Sequence, residues 1–199
     1  VLALWARHGT AVFGELRGMY AAALWDPDSR EGVLIRDPFG IKPLYVAETA
    51  DGILFASEIA ALRTAVGGSG EPDPVHAACI IDRQYAPDDL PPFAGIRRVA
   101  PGETLIIRDG RIAGTSGDRP LDDRDHAGAA AEFPARLHDS VEAHLMADVP
   151  LGLFFSGGVD SSAILAALAD LRARDGHADP ILSYTVRFDT EADDEIALA

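Results

Sequence analysis

Residues 156–162 form a glycine- and serine-rich segment, here called the 156–162 loop, that restricts the folds open to this chain. It follows a fully apolar run at 151–155 and leads into an alanine-rich run at 161–174. A short apolar run is typical of a strand buried in a parallel sheet, and the alanine-rich run favours a helix. Residues 181–186 predict another buried strand. This order of elements predicts an α/β layer with a parallel sheet.

The 156–162 loop has the composition of an anion-binding turn. Two adjacent glycines let the backbone turn sharply, and the helix behind them adds a partial positive charge. The spacing matches neither the P-loop nor the dinucleotide fingerprint, and the only lysine of the chain is Lys42. The loop is therefore a candidate pyrophosphate site without a lysine. Its residues are Ser156, Gly157, Gly158, Val159, Asp160, Ser161 and Ser162.

Asp160 is an acid inside this candidate phosphate site. A phosphate would repel its carboxylate unless a divalent cation lay between them, which makes Asp160 the candidate Mg²⁺ ligand. The alternative interpretation is an ordinary strand-to-helix turn capped by serines. The match of the whole segment, between a predicted strand and a predicted helix, favours the nucleotide site.

The first part of the chain has the pattern of an antiparallel sheet. Between residues 13 and 57 the apolar residues recur with a period of about two, and Asp, Pro and Gly turns separate the runs. The connections are too short for helical crossovers, so antiparallel pairing is predicted. This part is predicted to be an α+β antiparallel sandwich. Its predicted strands are 19–25, 33–36, 44–47 and 53–56, followed by helices at 58–66 and 75–85 and a hairpin at 103–112.

Residues 36–44 form a short charged segment with two prolines and one glycine. Proline and glycine at this density favour a rigid turn. The opposite charges of Arg36, Asp37 and Lys42 predict an internal ion pair. We therefore interpret this segment as structural.

The composition changes after Ala113. Residues 114–128 contain Gly, Ser, Asp, Arg and Pro and almost no apolar side chain, which predicts a linker. The predicted domains are therefore 1–113 and 129–199. The second opens with an amphipathic helix at 129–146. The predicted apolar face of this helix consists of Phe133, Leu137, Val141 and Leu145.

Charge and composition exclude several classes of function. The formal net charge of −15 repels phosphodiester backbones, so we expect no broad nucleic-acid surface. The apolar runs are far shorter than the ~20 residues of a membrane-spanning helix, so we expect no membrane segment. A single cysteine, Cys79, excludes an internal disulfide framework and multi-cysteine metal sites. A cytoplasmic location is the default expectation.

The start at Val1 rather than Met, and an end at 195–199 that resembles the beginning of a helix, favour a fragment.

The 156–162 loop resembles the pyrophosphate loop of the N-type ATP pyrophosphatases. The preceding residues, 144–152, narrow the resemblance to the glutamine-hydrolysing asparagine synthetases. The resemblance covers nearly the whole chain. Four further segments resemble the second half of that family's amidotransferase domain, namely 14–26, 36–45, 55–62 and 101–103.

The resemblance implies a two-part fold and an ATP-dependent ligase. Residues 1–113 would form the C-terminal part of an N-terminal-nucleophile glutaminase domain, and 129–199 the start of an N-type ATP pyrophosphatase domain. The family makes asparagine from aspartate, ATP and ammonia released from glutamine, through a β-aspartyl-AMP intermediate. The implied cofactors are ATP and Mg²⁺, and the implied partners are the small-molecule substrates ATP, aspartate and glutamine. A homodimer is compatible with the resemblance.

The resemblance also implies site residues. The 156–162 loop would hold the pyrophosphate with Asp160 as metal ligand, and the adenine would lie against Leu153, Phe155 and Val186. The family's glutaminase nucleophile is an N-terminal cysteine that precedes Val1, so no residue here is assigned to that reaction. We interpret Cys79, which lies in an apolar run, as structural. The family's second acidic loop lies beyond residue 199.

Two alternatives stay open. The same chemistry on another carboxylate is found in β-lactam synthetases, lasso-peptide cyclases and amidotransferases of polysaccharide gene clusters. The other alternative is a non-catalytic remnant that only binds a nucleotide or a partner. The intact Asp160 argues against decay of the loop.

Overall fold

The computed structural model describes residues 1–68, 71–87, 90–117, 125–176 and 179–186. The chain divides into two compact units, Val1–Leu121 and Asp122–Ala199. Within the described ranges, no helix has both the length and the apolar character that crossing a membrane requires.

The first unit combines two antiparallel sheets with short helices. Its helices are α1 (Leu2–His8), α2 (Ile59–Ala65) and α3 (Pro74–Arg83), with a 3-10 helix at Gly9–Glu15. Its strands are β1 (Ala21–Asp26), β2 (Glu31–Arg36), β3 (Tyr45–Thr49), β4 (Gly52–Ala56), β5 (Ile96–Arg98), β6 (Thr104–Arg108) and β7 (Arg111–Ser116). One sheet has the order β1-β2-β6-β7, and the other has the order β4-β3-β5.

Turn residues join these strands where the sequence predicts turns. Asp109 and Gly110 link β6 to β7 with φ angles of 48° and 72°, and two successive positive φ angles are typical of a type I′ hairpin. At the β1–β2 turn, the Asp26 carboxylate accepts the N–H of Asp28 at 3.0 Å and the hydroxyl of Ser29 at 2.7 Å. These turns help to set the register of both hairpins.

The two sheets share one apolar core. Leu34 of β2 pairs with Leu105 of β6 in the first sheet, and both belong to one buried cluster with Val46 of the second sheet. No more than 1% of each of these side chains is exposed. Two sheets that bury their faces against each other form a sandwich, so the predicted antiparallel strands with helices are confirmed for this part.

The turn at 36–44 is held by backbone hydrogen bonds, and the predicted ion pair is wrong. The Asp37 carboxylate is buried and accepts three backbone N–H groups at 2.9–3.2 Å, from Phe39, Ile41 and Lys42. The Arg36 guanidinium donates to three backbone carbonyls at 2.6–2.8 Å, those of Gly40, Lys42 and Val99. Backbone groups of the turn, together with the carbonyl of Val99, satisfy both charges without an ion pair.

The second unit combines two longer helices with a short parallel sheet. It contains α4 (His126–His144), β8 (Leu153–Phe154), α5 (Val159–Arg174) and β9 (Ser183–Tyr184). β8 and β9 pair in parallel, with Leu153 opposite Ser183 and Phe154 opposite Tyr184, as the sequence predicts.

The predicted burial of these two strands is wrong for one side of the sheet. Phe154, Tyr184 and Val186 are 79%, 57% and 64% exposed. An apolar strand is buried on both sides only where both faces of its sheet are covered. In the described part of the second unit, one face of this strand pair is open.

α4 and α5 pack against each other around the middle of α4. Val141 is buried with Ala167 and Leu171 of α5, and Leu137 lies partly buried beside them. Phe133 is 59% exposed, so only part of the predicted apolar face of α4 is buried. The contact with α5 covers the central part of that face.

The predicted linker at 114–128 is too long at both ends. β7 continues to Ser116, and α4 begins at His126. The Asp125 carboxylate caps this helix by accepting the N–H of Gly128 at 2.8 Å. Residues 118–124 of the predicted linker lie outside the described ranges.

Candidate functional site

The 156–162 loop connects the end of β8 to the first turn of α5. Gly157 has a φ of 76°, a left-handed conformation that residues other than glycine rarely adopt. Gly158 is the N-cap of α5, and a Cβ at this position would lie 3.3 Å from the Ser156 hydroxyl. The two glycines therefore allow a reversal of direction that leaves little room for side chains.

Two serine hydroxyls form a small network across the loop. The Oγ atoms of Ser156 and Ser161 lie 3.2 Å apart, and the Ser161 hydroxyl donates to the carbonyl of Gly158 at 3.1 Å. The N–H groups of Ser156 and Gly158 donate to serine oxygens at 3.4 and 3.3 Å. Bonds of this length are weak, so an anion can take over these donors at small cost.

The N-terminus of α5 adds further donors. No side chain caps this helix, because its N-cap is Gly158. The first N–H groups of a helix have no partner inside the helix, and they carry the positive end of its dipole. The loop and the first turn of α5 therefore hold backbone donors and two serine hydroxyls within one short segment, a donor set that suits a phosphate group.

Asp160 lies in the first turn of α5 and is exposed. Among the residues that the structure describes, no group of three or more His, Cys, Asp or Glu side chains could hold a metal ion. Mg²⁺ is commonly held by one or two carboxylates together with substrate phosphates and water. A single carboxylate beside a phosphate site fits that donor set.

The predicted adenine-side residues differ in their exposure. Leu153 is half-buried, Phe155 is 9% exposed and Val186 is 64% exposed. Strand alternation places Leu153 and Phe155 on one face of the sheet and Phe154 on the other. The three predicted side chains therefore do not form one open surface in the described residues.

The second unit also has an open cavity of about 800 Å³. Apolar side chains of α4 and α5 line it, including Val141 and Leu168, together with Leu153 of β8. No residue of the 156–162 loop lines this cavity. The loop and the cavity are therefore separate features of the unit.

Sequence reasoning missed Thr185. Its hydroxyl donates to the carbonyl of Phe155, the residue directly before the loop, at 2.6 Å. Only the pairing of β8 with β9 brings these two residues together, and the sequence does not give that register. A threonine in a predicted strand carries no signal of this contact.

Cys79 lies in α3 and is half-buried. His76 precedes it by one helical turn and has its Nδ1 atom 3.2 Å from the carbonyl of Leu90. Cys79 lies in the first unit and the 156–162 loop in the second.

Comparisons with known proteins identify the family. The family model of the glutamine amidotransferase domain matches residues 1–116, more than half of the chain. The chain belongs to the glutamine amidotransferase domain family. The asparagine synthase family model matches residues 132–199, which include the 156–162 loop.

Relatives agree with both matches. A "Putative asparagine synthetase [glutamine-hydrolyzing]" of Mycobacterium tuberculosis is 37% identical over 210 residues, which cover 100% of this chain and 31% of that protein. "Asparagine synthetase [glutamine-hydrolyzing] 1" of Bacillus subtilis is 30% identical over 204 residues, with 100% of this chain and 31% of that protein covered. The chain thus spans about a third of the length of these relatives. The resemblance to glutamine-hydrolysing asparagine synthetases is confirmed.

A solved structure also matches. Glutamine phosphoribosylpyrophosphate amidotransferase from B. subtilis matches 90% of this chain and 35% of its own, with 18% identity and a TM-score of 0.37.

Proposed function

We propose that the full-length protein is a glutamine-dependent carbon–nitrogen ligase that converts aspartate into asparagine. In this proposal ATP activates the β-carboxylate as β-aspartyl-AMP, and ammonia from glutamine displaces AMP. Residues 1–116 are part of a glutaminase domain with an N-terminal-nucleophile fold, and the segment that begins with α4 at His126 opens an ATP pyrophosphatase domain.

The observation that carries the proposal is the geometry of the 156–162 loop. Its backbone N–H groups, its two serine hydroxyls and the uncapped N-terminus of α5 belong to one short segment. Pyrophosphate gains negative charge as it leaves the α-phosphorus of ATP. Fixed donors at that point stabilise the transition state more than the ground state, which is the requirement for catalysis.

ATP and Mg²⁺ fit the residues that are present. The loop supplies backbone and serine donors for the phosphates, and Asp160 supplies a carboxylate for the cation. Bound Mg²⁺ would neutralise charge on the phosphate oxygens. Without such a cation, Asp160 would oppose the binding of an anion at the same loop.

The adenine end of the site is proposed on position alone. Leu153 and Val186 are accessible in part, whereas Phe155 is buried and would support the adenine only from beneath. We place the adenine across the ends of β8 and β9, with Leu153 and Phe155 on one face of the strand pair and Val186 on the other.

Glutamine hydrolysis is proposed for the full-length protein without an assigned residue here. The family's nucleophile is not matched by any residue of this chain, and Cys79 is interpreted as structural. Membership of the glutamine amidotransferase domain family supports glutamine as the nitrogen donor.

The test is a product balance for the full-length protein. Glutamine, MgATP and aspartate are supplied together, and asparagine, AMP and pyrophosphate are quantified. The proposal predicts equal amounts of the three products and none without ATP. Pyrophosphate release with another carboxylate but not with aspartate would show that aspartate is not the acceptor substrate. Formation of ADP instead of AMP would contradict the proposed adenylation.

A further inference from the structure

The end of β8 is tied to β9 by a side chain as well as by the backbone. The backbone ladder joins Leu153 to Leu182 and Phe155 to Tyr184, each with a 2.9 Å bond from N–H to carbonyl. Beyond it, the hydroxyl of Thr185 donates to the carbonyl of Phe155 at 2.6 Å. This part-buried bond is the last tie between the two strands before the 156–162 loop begins.

Because this bond ends on the carbonyl of Phe155, it acts on the first peptide group of the 156–162 loop. The carbonyl of Phe155 and the N–H of Ser156 belong to the same peptide group, which is planar and points them in opposite directions. The N–H of Ser156 points to the hydroxyl of Ser161 across the loop, at 3.4 Å. A bond that fixes the carbonyl therefore also fixes the direction of this N–H.

The bond from Thr185 replaces a ladder bond. In a parallel ladder, a residue that donates its N–H to one partner accepts from the residue two positions further along the other strand. Phe155 donates to Tyr184, so continuation of the ladder would make Val186 the donor to the Phe155 carbonyl. The hydroxyl of Thr185 takes that position, at the point where the two strands stop pairing.

We propose that Thr185 is a positioning residue for the candidate phosphate site, because its hydroxyl orients the Phe155–Ser156 peptide group that opens the 156–162 loop. This inference rests on the proposed function of the loop. Thr185 does not touch the nucleotide itself. It acts through the Ser156 N–H, which must already point into the loop when the pyrophosphate arrives.

The test compares hydroxyl-containing and hydroxyl-free side chains at this position in the full-length protein. Thr185→Val keeps the branched shape and loses the hydroxyl, Thr185→Ala is a second hydroxyl-free variant, and Thr185→Ser restores the hydroxyl. Binding of MgATP is measured by calorimetry, together with the unfolding temperature and glutamine hydrolysis. A matched control is Thr64→Val, which removes a 3.0 Å bond from a hydroxyl to the carbonyl of Ala60 in the first unit.

The hydroxyl-free variants are expected to raise the Kd for MgATP about fivefold, which corresponds to one net hydrogen bond. Thr185→Ser and Thr64→Val should keep the normal Kd, and glutamine hydrolysis should be unchanged in all four. A higher Kd in both hydroxyl-free variants but not in Thr185→Ser supports the positioning role of Thr185, provided that the unfolding temperatures do not change in the same order. Equal Kd values for Thr185→Val, Thr185→Ala and the unchanged protein would overturn this inference.

Asp160→Asn separates this inference from the proposed function. If Asp160→Asn abolishes pyrophosphate release while both hydroxyl-free variants bind MgATP normally, the loop is the site and Thr185 does not position it. If Asp160→Asn releases pyrophosphate normally, the proposed function itself fails.

Discussion

A buried carboxylate shows how single residues hold this fold. Burial raises the pKa of Asp37, but the N–H groups of Lys42, Ile41 and Phe39 outweigh burial, so the pKa lies below its ordinary value. Such a carboxylate stabilises the fold when it is ionised and satisfied by donors. The turn at 36–44 therefore depends on a charge that the sequence alone assigned to an ion pair.

We predict that Asp37→Asn destabilises the full-length protein by about 2–3 kcal/mol at pH 7, because hydrogen bonds to a charged acceptor are lost. The folded pKa is lowered, so the contribution is fully present above the unfolded pKa of about 3.9 and is lost as the pH falls through the folded pKa. The measurement is urea unfolding at pH 7 and again near pH 3. Asp51→Asn, at an exposed aspartate of the β3–β4 turn, is the control and should change little. An equal penalty at both pH values would contradict this account of Asp37.

At the scale of elements, local chemistry predicts more than long-range pairing does. The β6–β7 hairpin follows from Asp109 and Gly110, which favour a tight turn. The pairing of β2 with β6 brings Leu34 opposite Leu105, far apart in the sequence, and no local pattern encodes it. The sequence also does not predict the open face of β8 and β9. An apolar run shows that a strand can be buried, but it does not show whether another element covers each face of the sheet.

Two glycines at the end of β7 provide a test at this scale. Gly117 has a φ of 137°, and a Cβ there would collide with the backbone carbonyl of Gly102. Gly114, inside β7, has open space at its Cβ position, whereas Gly117 directly follows the strand. We predict that Gly117→Ala lowers the free energy of unfolding by about 2 kcal/mol or more. Gly114→Ala should change it by less than about 1 kcal/mol. Thermal unfolding of both variants checks this, and equal effects would show that the close approach at Gly117 does not exist.

At the scale of the whole molecule, both units expose large apolar side chains. Phe154 is 79% exposed and lies 6.4 Å from Tyr184 between ring centroids, so the second unit carries an exposed aromatic pair. Phe39 in the first unit is equally exposed, at 78%. Contiguous apolar surface binds apolar dyes better than a single exposed ring.

We predict that Phe154→Thr lowers the binding of an apolar fluorescent dye to the 199-residue chain more than Phe39→Thr does. The expected difference is about twofold or more in fluorescence at equal protein concentration, judged from the area of the aromatic pair. Circular dichroism of both variants controls for changes in folding. Equal losses from the two substitutions would mean that the pair with Tyr184 adds no contiguous surface.

The residues of the candidate site could be predicted from the sequence, but the side chain that supports the loop from β9 could not. The residues of the 156–162 loop stand together in the sequence, so their glycines, serines and acid indicate a candidate anion site without a structure. Thr185 lies beyond an intervening helix, and its role depends on the register between β8 and β9. Side chains that act across strands need the fold before they can be recognised.

Pyrophosphate release by Asp160→Asn in the full-length protein tests whether the 156–162 loop is the nucleotide site. Loss of a metal ligand should reduce aspartate-dependent release by about a hundredfold or more. Glutamine hydrolysis should stay within about twofold, because we assign it to the other part of the protein. The control is Asp170→Asn in the same helix, where the exposed contact with His138 is worth little. Normal Mg²⁺-dependent pyrophosphate release by Asp160→Asn would contradict the assignment of the 156–162 loop.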